Sequence, residues 1–255
     1  FAMAEDVSTV SALAHGGVPV ASVLVPPAAS SGANATSRAA ATVAAYAAVA
    51  DRVNGSADLT FVASVDSCSG GSESLLRFAS YSSLAYGARG LWHSGVGGCL
   101  SSGEGGMFAM VSSINRRIAH WVAPYGNAYT YTLDDPSSRL HLFSTGWKIE
   151  GTELPRAGAI VESMSDNLLA GVYSVENEPN ATLLYVVDKR VSNTAGAVPA
   201  RKVTIQLSQR VIASQPLEGS AEQGHPTCNK VVLGPQLTLT LAGGVGQLVG
   251  LDMTG

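Results

Sequence analysis

Four side chains stand where the sequence could support chemistry. Asp66 closes the apolar run Leu59-Thr60-Phe61-Val62-Ala63-Ser64-Val65 and is followed by Ser67 and Cys68. A carboxylate at a strand end is either a reacting group or a hydrogen-bonded loop cap. Glu73 falls in the first turn of the next helical stretch, where it is a second acidic candidate or simply complements the helix dipole. Trp92 and His93 lie side by side in a short strand. An indole face stacks on sugar rings and an imidazole donates to hydroxyls, whereas the plainer reading is a packed aromatic and a satisfied rim histidine.

Other chemistries find little support. His15, His120, His141 and His225 are scattered, and Cys68, Cys99 and Cys228 form no C-x-x-C pair, so no metal site is expected. Gly95-Val96-Gly97-Gly98 and Gly103-Glu104-Gly105-Gly106 fit neither nucleotide fingerprint, and no cofactor is expected. Ser67 has no histidine at a spacing diagnostic of a serine hydrolase.

Composition narrows the class further. The 255 residues are 46% hydrophobic and 13% charged, with a net charge of −4. That is chain enough for one large domain or two modest ones. No Lys/Arg run is longer than two residues, as at Arg116-Arg117, so no basic face for a nucleic acid is expected. No window of 18 apolar residues exists, so no membrane-spanning helix is expected. The start, Phe1-Ala2-Met3-Ala4-Glu5-Asp6, has neither an initiator Met nor a signal-peptide pattern, and the chain is expected to begin inside a longer one. Three sequons, at Asn34, Asn54 and Asn180, point to an extracellular or cell-surface glycoprotein.

The elements that must hold these residues follow from hydrophobic period. Ala4, Val7, Val10, Leu13 and Ala14 are spaced as a helix face, ended by Gly16-Gly17. Strands are predicted over 18–25, 59–65 and 90–94. Helices are predicted over 37–53, over 73–86 with Ser72 as N-cap, and over 107–122. This α-β alternation implies a parallel sheet covered by helices. Beyond Tyr129 the pattern changes to about seven strand-length runs, several alternating apolar with polar, with Asn177-Glu178-Pro179-Asn180 as a hairpin tip. That half reads as an antiparallel β-sandwich.

Several stretches are similar to a known family. Ser74-Leu75-Leu76-Arg77-Phe78-Ala79-Ser80-Tyr81-Ser82-Ser83-Leu84-Ala85-Tyr86-Gly87-Ala88-Arg89-Gly90-Leu91-Trp92 resembles the "Y-x-A-L-A-Y-G-A-[KR]-G-[IL]" step into the last strand of TIM-barrel glycoside hydrolases. Ile114-Asn115-Arg116-Arg117-Ile118 resembles their closing "I-N-R-E-I" helix. The segments from Ser163 to Tyr173 and from Leu184 to Arg190 resemble the β-sandwich that follows such barrels. So does the tail Leu239-Thr240-Leu241-Ala242-Gly243-Gly244-Val245-Gly246-Gln247-Leu248, where Gly-Gly-Val replaces Pro-Gly-Asp.

The resemblance implies an α/β part followed by an all-β part. Residues 1–128 would be the C-terminal portion of a (β/α)8 barrel, strands six to eight, and 129–255 a β-sandwich. Barrel strands one to five would come from the missing half, in the same or another chain, because a half barrel exposes an unpaired edge. Catalytic residues in this fold sit at the C-terminal ends of strands. Asp66 then takes the position of a retaining glycosidase's nucleophile, although most such families carry Glu there; the acid/base would lie outside this chain. Trp92 and His93 would line the sugar site. Cys68 and Cys99 lie just past adjacent strand ends, where a disulfide fits. The implied function is that of a glycoside-hydrolase-like protein acting on or binding carbohydrate. The alternatives are an inactive structural glycoprotein of a matrix, fibre or coat, assembling with copies of itself, and a lectin-like module that binds through Trp92.

Overall fold

The computed structural model describes residues 3–4, 21–23, 34–53, 59–66, 72–88, 90–94, 111–112, 114, 141–175, 178–194, 197–216 and 231–253. Among these, β structure predominates, with two long helices.

The N-terminal part is a parallel sheet. Its strands are β1 (Met3–Ala4), β2 (Ala21–Val23), β3 (Leu59–Asp66) and β4 (Gly90–Ser94), in the spatial order β1-β2-β3-β4. The sequence reading has three parallel strands; the sheet has four. A two-residue strand carries neither a period of 2 nor one of 3.6, so β1 is invisible to pattern, and Ala4 read instead as the head of a helix whose remainder lies outside the described residues. The same is true of Pro26-Pro27 and of most of 107–122, where Val111, Ser112 and Ile114 are helical.

Helix α2 (Glu73–Ala85) starts where its Ser72 cap predicts, whereas helix α1 (Ala35–Val53) starts two residues before the predicted Ser37, because Asn34 caps it. Asn34 Oδ1 accepts from Ser37 N at 2.8 Å, and Ser72 Oγ accepts from Leu75 N at 3.3 Å. Gly87, at φ +85°, follows the end of α2. Both helices pack on β3: the Tyr46 ring lies 5.8 Å from that of Phe61, and Phe61, Ala63 and Val65 are buried with Val43, Leu76 and Phe78. A parallel order that never reverses, joined by right-handed crossovers, keeps its helices on one face; a doubly wound sheet would place them on both.

The C-terminal part contains two antiparallel sheets. The larger runs in the order β11-β10-β13-β8-β7-β5. Its strands are β5 (His141–Ser144), β7 (Leu168–Val175), β8 (Glu178–Asp188), β10 (Val211–Pro216), β11 (Val232–Leu233) and β13 (Gly246–Met253). The smaller has the order β12-β9-β6, from β6 (Val161–Met164), β9 (Arg201–Leu207) and β12 (Gln236–Leu241). Sequence pattern shows seven of these nine strands. It misses β5, which has four residues, and β10, which ends Ser-Gln-Pro. Of the predicted tip, Asn177 falls outside the described residues, and Glu178, Pro179 and Asn180 are strand. They sit where the β7–β8 register slips between Ser174 and Val175, a place that tolerates proline.

The two sheets enclose a core of Leu168, Ala170, Leu184, Val186, Val203, Ile205, Leu237 and Leu239, among others. Strand β12 alternates strictly between exposed and buried, because its outer face meets water. Strands β7 and β8 do not alternate: Leu169, Tyr173, Leu183, Tyr185 and Val187 point away from that core and into the one shared with α1, α2 and β3. The larger sheet is therefore buried on both faces at β7 and β8, which explains their continuous apolar runs, while Ile212 of β10 and Leu233 of β11 are exposed.

Helix α2 is the common element of both parts. It is buried along nearly all its length, and its serines make that possible: small side chains admit close neighbours, and the hydroxyls of Ser80, Ser82 and Ser83 turn back to their own helix. Ser80 donates to Leu76 O at 2.9 Å, Ser82 to Phe78 O at 2.5 Å and Ser83 to Ser80 O at 2.7 Å. At its C-terminus, the Tyr173 hydroxyl lies 2.6 Å from the carbonyl oxygens of both Leu84 and Ala85, among the last carbonyls of a helix, which have no α-helical donor; Leu84 O also accepts from Gly87 N at 2.9 Å. At its N-terminus, Ser72 Oγ donates to Ser192 O, and Ser74 Oγ accepts from Ser192 N at 2.9 Å.

Two glycines let the backbones meet. A Cβ on Gly171 would lie 2.8 Å from Ala85 O. Gly244, at φ +78°, would push a Cβ into the Ser74 carbonyl and within 2.9 Å of Phe78 N. Gly244→Ala is expected to cost about 2–4 kcal/mol, from left-handed strain plus the clash. Thermal melting should fall by roughly 5–15 °C; a shift under one degree would mean that α2 does not seat on this turn.

Candidate functional site

Register decides which candidates share a face. In the β3–β4 pair, Val62 lies opposite Gly90, Ser64 opposite Trp92, and Asp66 opposite Ser94. Ala63 and Val65 are buried on the helix-covered side. Alternation therefore puts Val62, Ser64 and Trp92 on the face that α1 and α2 leave open. Asp66, two residues past Ser64, has the same parity. Strand spacing and rise place the Cα atoms of Asp66 and Trp92 roughly 8 Å apart, a span that one pyranose bridges. Asp66 ends β3 at its C-terminus, and Trp92 is the central residue of β4. Trp92 is 60% exposed, unusual for an indole.

The structure separates Trp92 from its neighbour. His93 pairs with Val65 on the helix-covered side, its ring half-buried. Successive strand residues point to opposite faces, so the two do not line one surface along the strand. Glu73 is on the first turn of α2 and forms an ion pair with Arg77, one helical turn on. That pair fits the dipole reading of Glu73. Asn34 is exposed at the head of α1, and Asn180 lies within β8. Asn54, Cys68, Cys99 and Cys228 fall outside the described residues. Among the described residues no three His, Cys, Asp or Glu side chains converge as a metal site, and no helix is long and apolar enough to cross a membrane.

Sequence reasoning gave no role to Asp188-Lys189-Arg190, the charged triplet at the end of β8. A triplet following a strand reads as solvated hairpin end. Here the Asp188 carboxylate and the Lys189 side chain are fully buried. Arg190 Nη2 lies 2.7 Å and Arg201 Nε 3.1 Å from Asp188 Oδ2, and Arg190 N donates to Oδ1 at 3.0 Å. Arg190 also donates to Pro199 O at 2.9 Å, and Arg201 to Asp166 O at 2.5 Å. Lys189 Nζ donates to Ser144 Oγ at 2.6 Å and Trp147 O at 2.5 Å, and stands 4.3 Å from the centre of the Trp147 indole. Burial lowers the ammonium to a pKa of about 8, opposed by the Asp166 charge. The Trp147 ring meets Phe78 of α2 edge-on at 5.9 Å, so this cluster ties β8 to the helix. Its contacts are with protein groups, which suits a clamp. A signal was available in the sequence: with so few charges overall, three directly after an apolar run of strand length mark a place where charge is being enclosed.

No family model matches the chain, and no curated protein matches it. The chain is similar to solved structures of carbohydrate-active enzymes. One is a glycoside hydrolase family 44 endoglucanase from Clostridium acetobutylium (10% identity, TM-score 0.46, covering 96% of this chain and 50% of that one). Another is CelM2, a bifunctional glucanase-xylanase from a metagenome library (10% identity, TM-score 0.45, covering 97% and 47%). A third is a family 27 β-L-arabinopyranosidase from Geobacillus stearothermophilus (8% identity, TM-score 0.38, covering 98% and 62%). The chain spans about half the length of the first two.

Proposed function

We propose that this chain is a carbohydrate-binding, glycoside-hydrolase-like protein of the cell surface or exterior. In this reading β1–β4 are the last strands of a larger (β/α)8 barrel, and the two antiparallel sheets are the β-sandwich that buttresses it. The missing barrel strands belong to the same or another chain. The observation that carries the reading is the unreversed parallel order with its helices on one face. It leaves Ser64, Trp92 and the Asp66 position together on the other, with Asp66 at the strand end where barrel enzymes bind substrate. Trp92 supplies the stacking surface, and Asp66 is the carboxylate in the nucleophile's position.

Because Trp92 is exposed, removing it leaves the core intact, so a binding loss reports on binding. Trp92→Ala should weaken binding to a panel of β-linked polysaccharides at least about tenfold, the equivalent of one lost stacking contact. Trp92→Tyr should retain most of it. Unchanged binding in Trp92→Ala would refute the site. If the chain, completed by its missing half, cleaves glycan, Asp66→Asn should abolish cleavage while sparing binding. Binding without cleavage, indifferent to Asp66→Asn, leaves the inactive structural glycoprotein or the lectin-like module. Asp66 standing where such families carry Glu favours that second reading.

A further inference from the structure

We propose that Asn34 carries an N-linked glycan, held clear of the fold by the way this side chain caps helix α1. The inference rests on the exterior location proposed above and adds a modification site to it. Three observations converge on Asn34. It begins the sequon Asn34-Ala35-Thr36, and both Asn34 and Thr36 are exposed. Its side-chain oxygen is engaged, accepting from Ser37 N at 2.8 Å, while its main-chain oxygen accepts from Arg38 N at 3.1 Å. The capping bond therefore uses Oδ1, and the amide nitrogen Nδ2 is the atom that glycosylation uses. Cap and glycan do not compete. The buried positions of α1, among them Ala39, Val43 and Tyr46, belong to the face turned to β3, so a sugar chain at the helix head meets water.

In the transfer, the bond between the sugar's C1 and the phosphate of a lipid-diphosphate-linked oligosaccharide breaks. A C1–Nδ2 bond forms, the amide gives up one proton, and the lipid diphosphate leaves. Oδ1 keeps both lone pairs, so α1 is capped before and after. Enzymatic removal with an amidase turns Asn34 into aspartate, itself a strong N-cap and favourable at the positive end of the helix dipole.

The test is a glycopeptide map of the full chain imported into microsomes behind a cleavable leader, before and after amidase treatment in heavy-oxygen water. The peptide bearing Asn34 is expected to carry glycan and to take up the label. Asn34→Asp and Thr36→Ala should each remove it completely without changing the melting temperature. Asn34→Gln should remove it and also lower the melting temperature, since glutamine does not cap. Fully imported chain with Asn34 unmodified overturns the proposal, whether or not Asn54 or Asn180 is occupied. The location is tested separately on native material: glycan on the imported chain but none on the native one would reject the exterior location and keep the site's competence.

Discussion

Asp188→Ala is expected to be the most damaging polar substitution in the chain, at about 3–5 kcal/mol. The carboxylate has no exposed surface, and its partners Arg190 and Arg201 are each about a quarter exposed. Removing the acid leaves two guanidinium groups mostly out of water without this counter-charge, and frees the Arg190 amide that it accepts from. Water reaching the arginines offsets part of the loss, which argues for the lower end of that range. Asp188→Asn keeps one acceptor oxygen and the side chain's shape but loses the charge, and should recover about a third of the loss. Urea unfolding of the three chains measures this directly. Equal midpoints would mean that the ion pairs contribute nothing. The cluster joins the β8 end to the 197–201 segment and, through Trp147, to α2, so its failure should loosen both parts together.

How far the sequence reveals this arrangement depends on whether a face meets water. Strands β9 and β12, Arg-Lys-Val-Thr-Ile-Gln-Leu and Gln-Leu-Thr-Leu-Thr-Leu, alternate because one side is solvated, and their identity and direction into the core are legible. The ends of α2 are legible from Ser72 and Gly87 because capping is local chemistry. Strands β7 and β8 are legible as strands, yet their runs cannot say that a helix covers the second face; only the α2 serines, small where Leu would be expected, hint at it. The open face of the parallel sheet follows from parity, and parity was available in principle: Trp92 and His93 are adjacent, so one strand cannot aim both at one ligand. What no pattern carries is register between strands, which sets Trp92 opposite Ser64 and gives Asp66 its place two residues on. The buried charges at 188 and 189 were hidden for a related reason. Their partners Arg201, Ser144 and Trp147 come from segments distant in sequence, and only the folded chain brings them together.

The Lys189 ammonium leads to the second large effect, a rise in stability with pH. Its pKa falls from 10.5 to about 8 because burial disfavours the charged form. Below pH 8 both folded and unfolded chains hold the proton, and this group adds no pH dependence. Between about 8 and 10 the folded chain releases it while the unfolded chain keeps it, so the unfolded state binds more protons and stability climbs with pH. The slope approaches about 1.4 kcal/mol per pH unit, a gain of roughly 2–3 kcal/mol over the window. Tyr46 acts the other way, but higher. Burial raises its hydroxyl pKa, so the unfolded tyrosine ionises above pH 10 while the folded one does not, and stability declines there. The expected profile is therefore a rise from pH 8 that turns over past pH 10. Lys189→Met, which keeps the stem's packing against Trp147 and removes the charge, should flatten the rise while leaving the decline above pH 10. A wild-type profile already flat between pH 8 and 10 would mean that the bonds to Ser144 and the Trp147 carbonyl, with the Asp166 charge, hold the proton as firmly as water does.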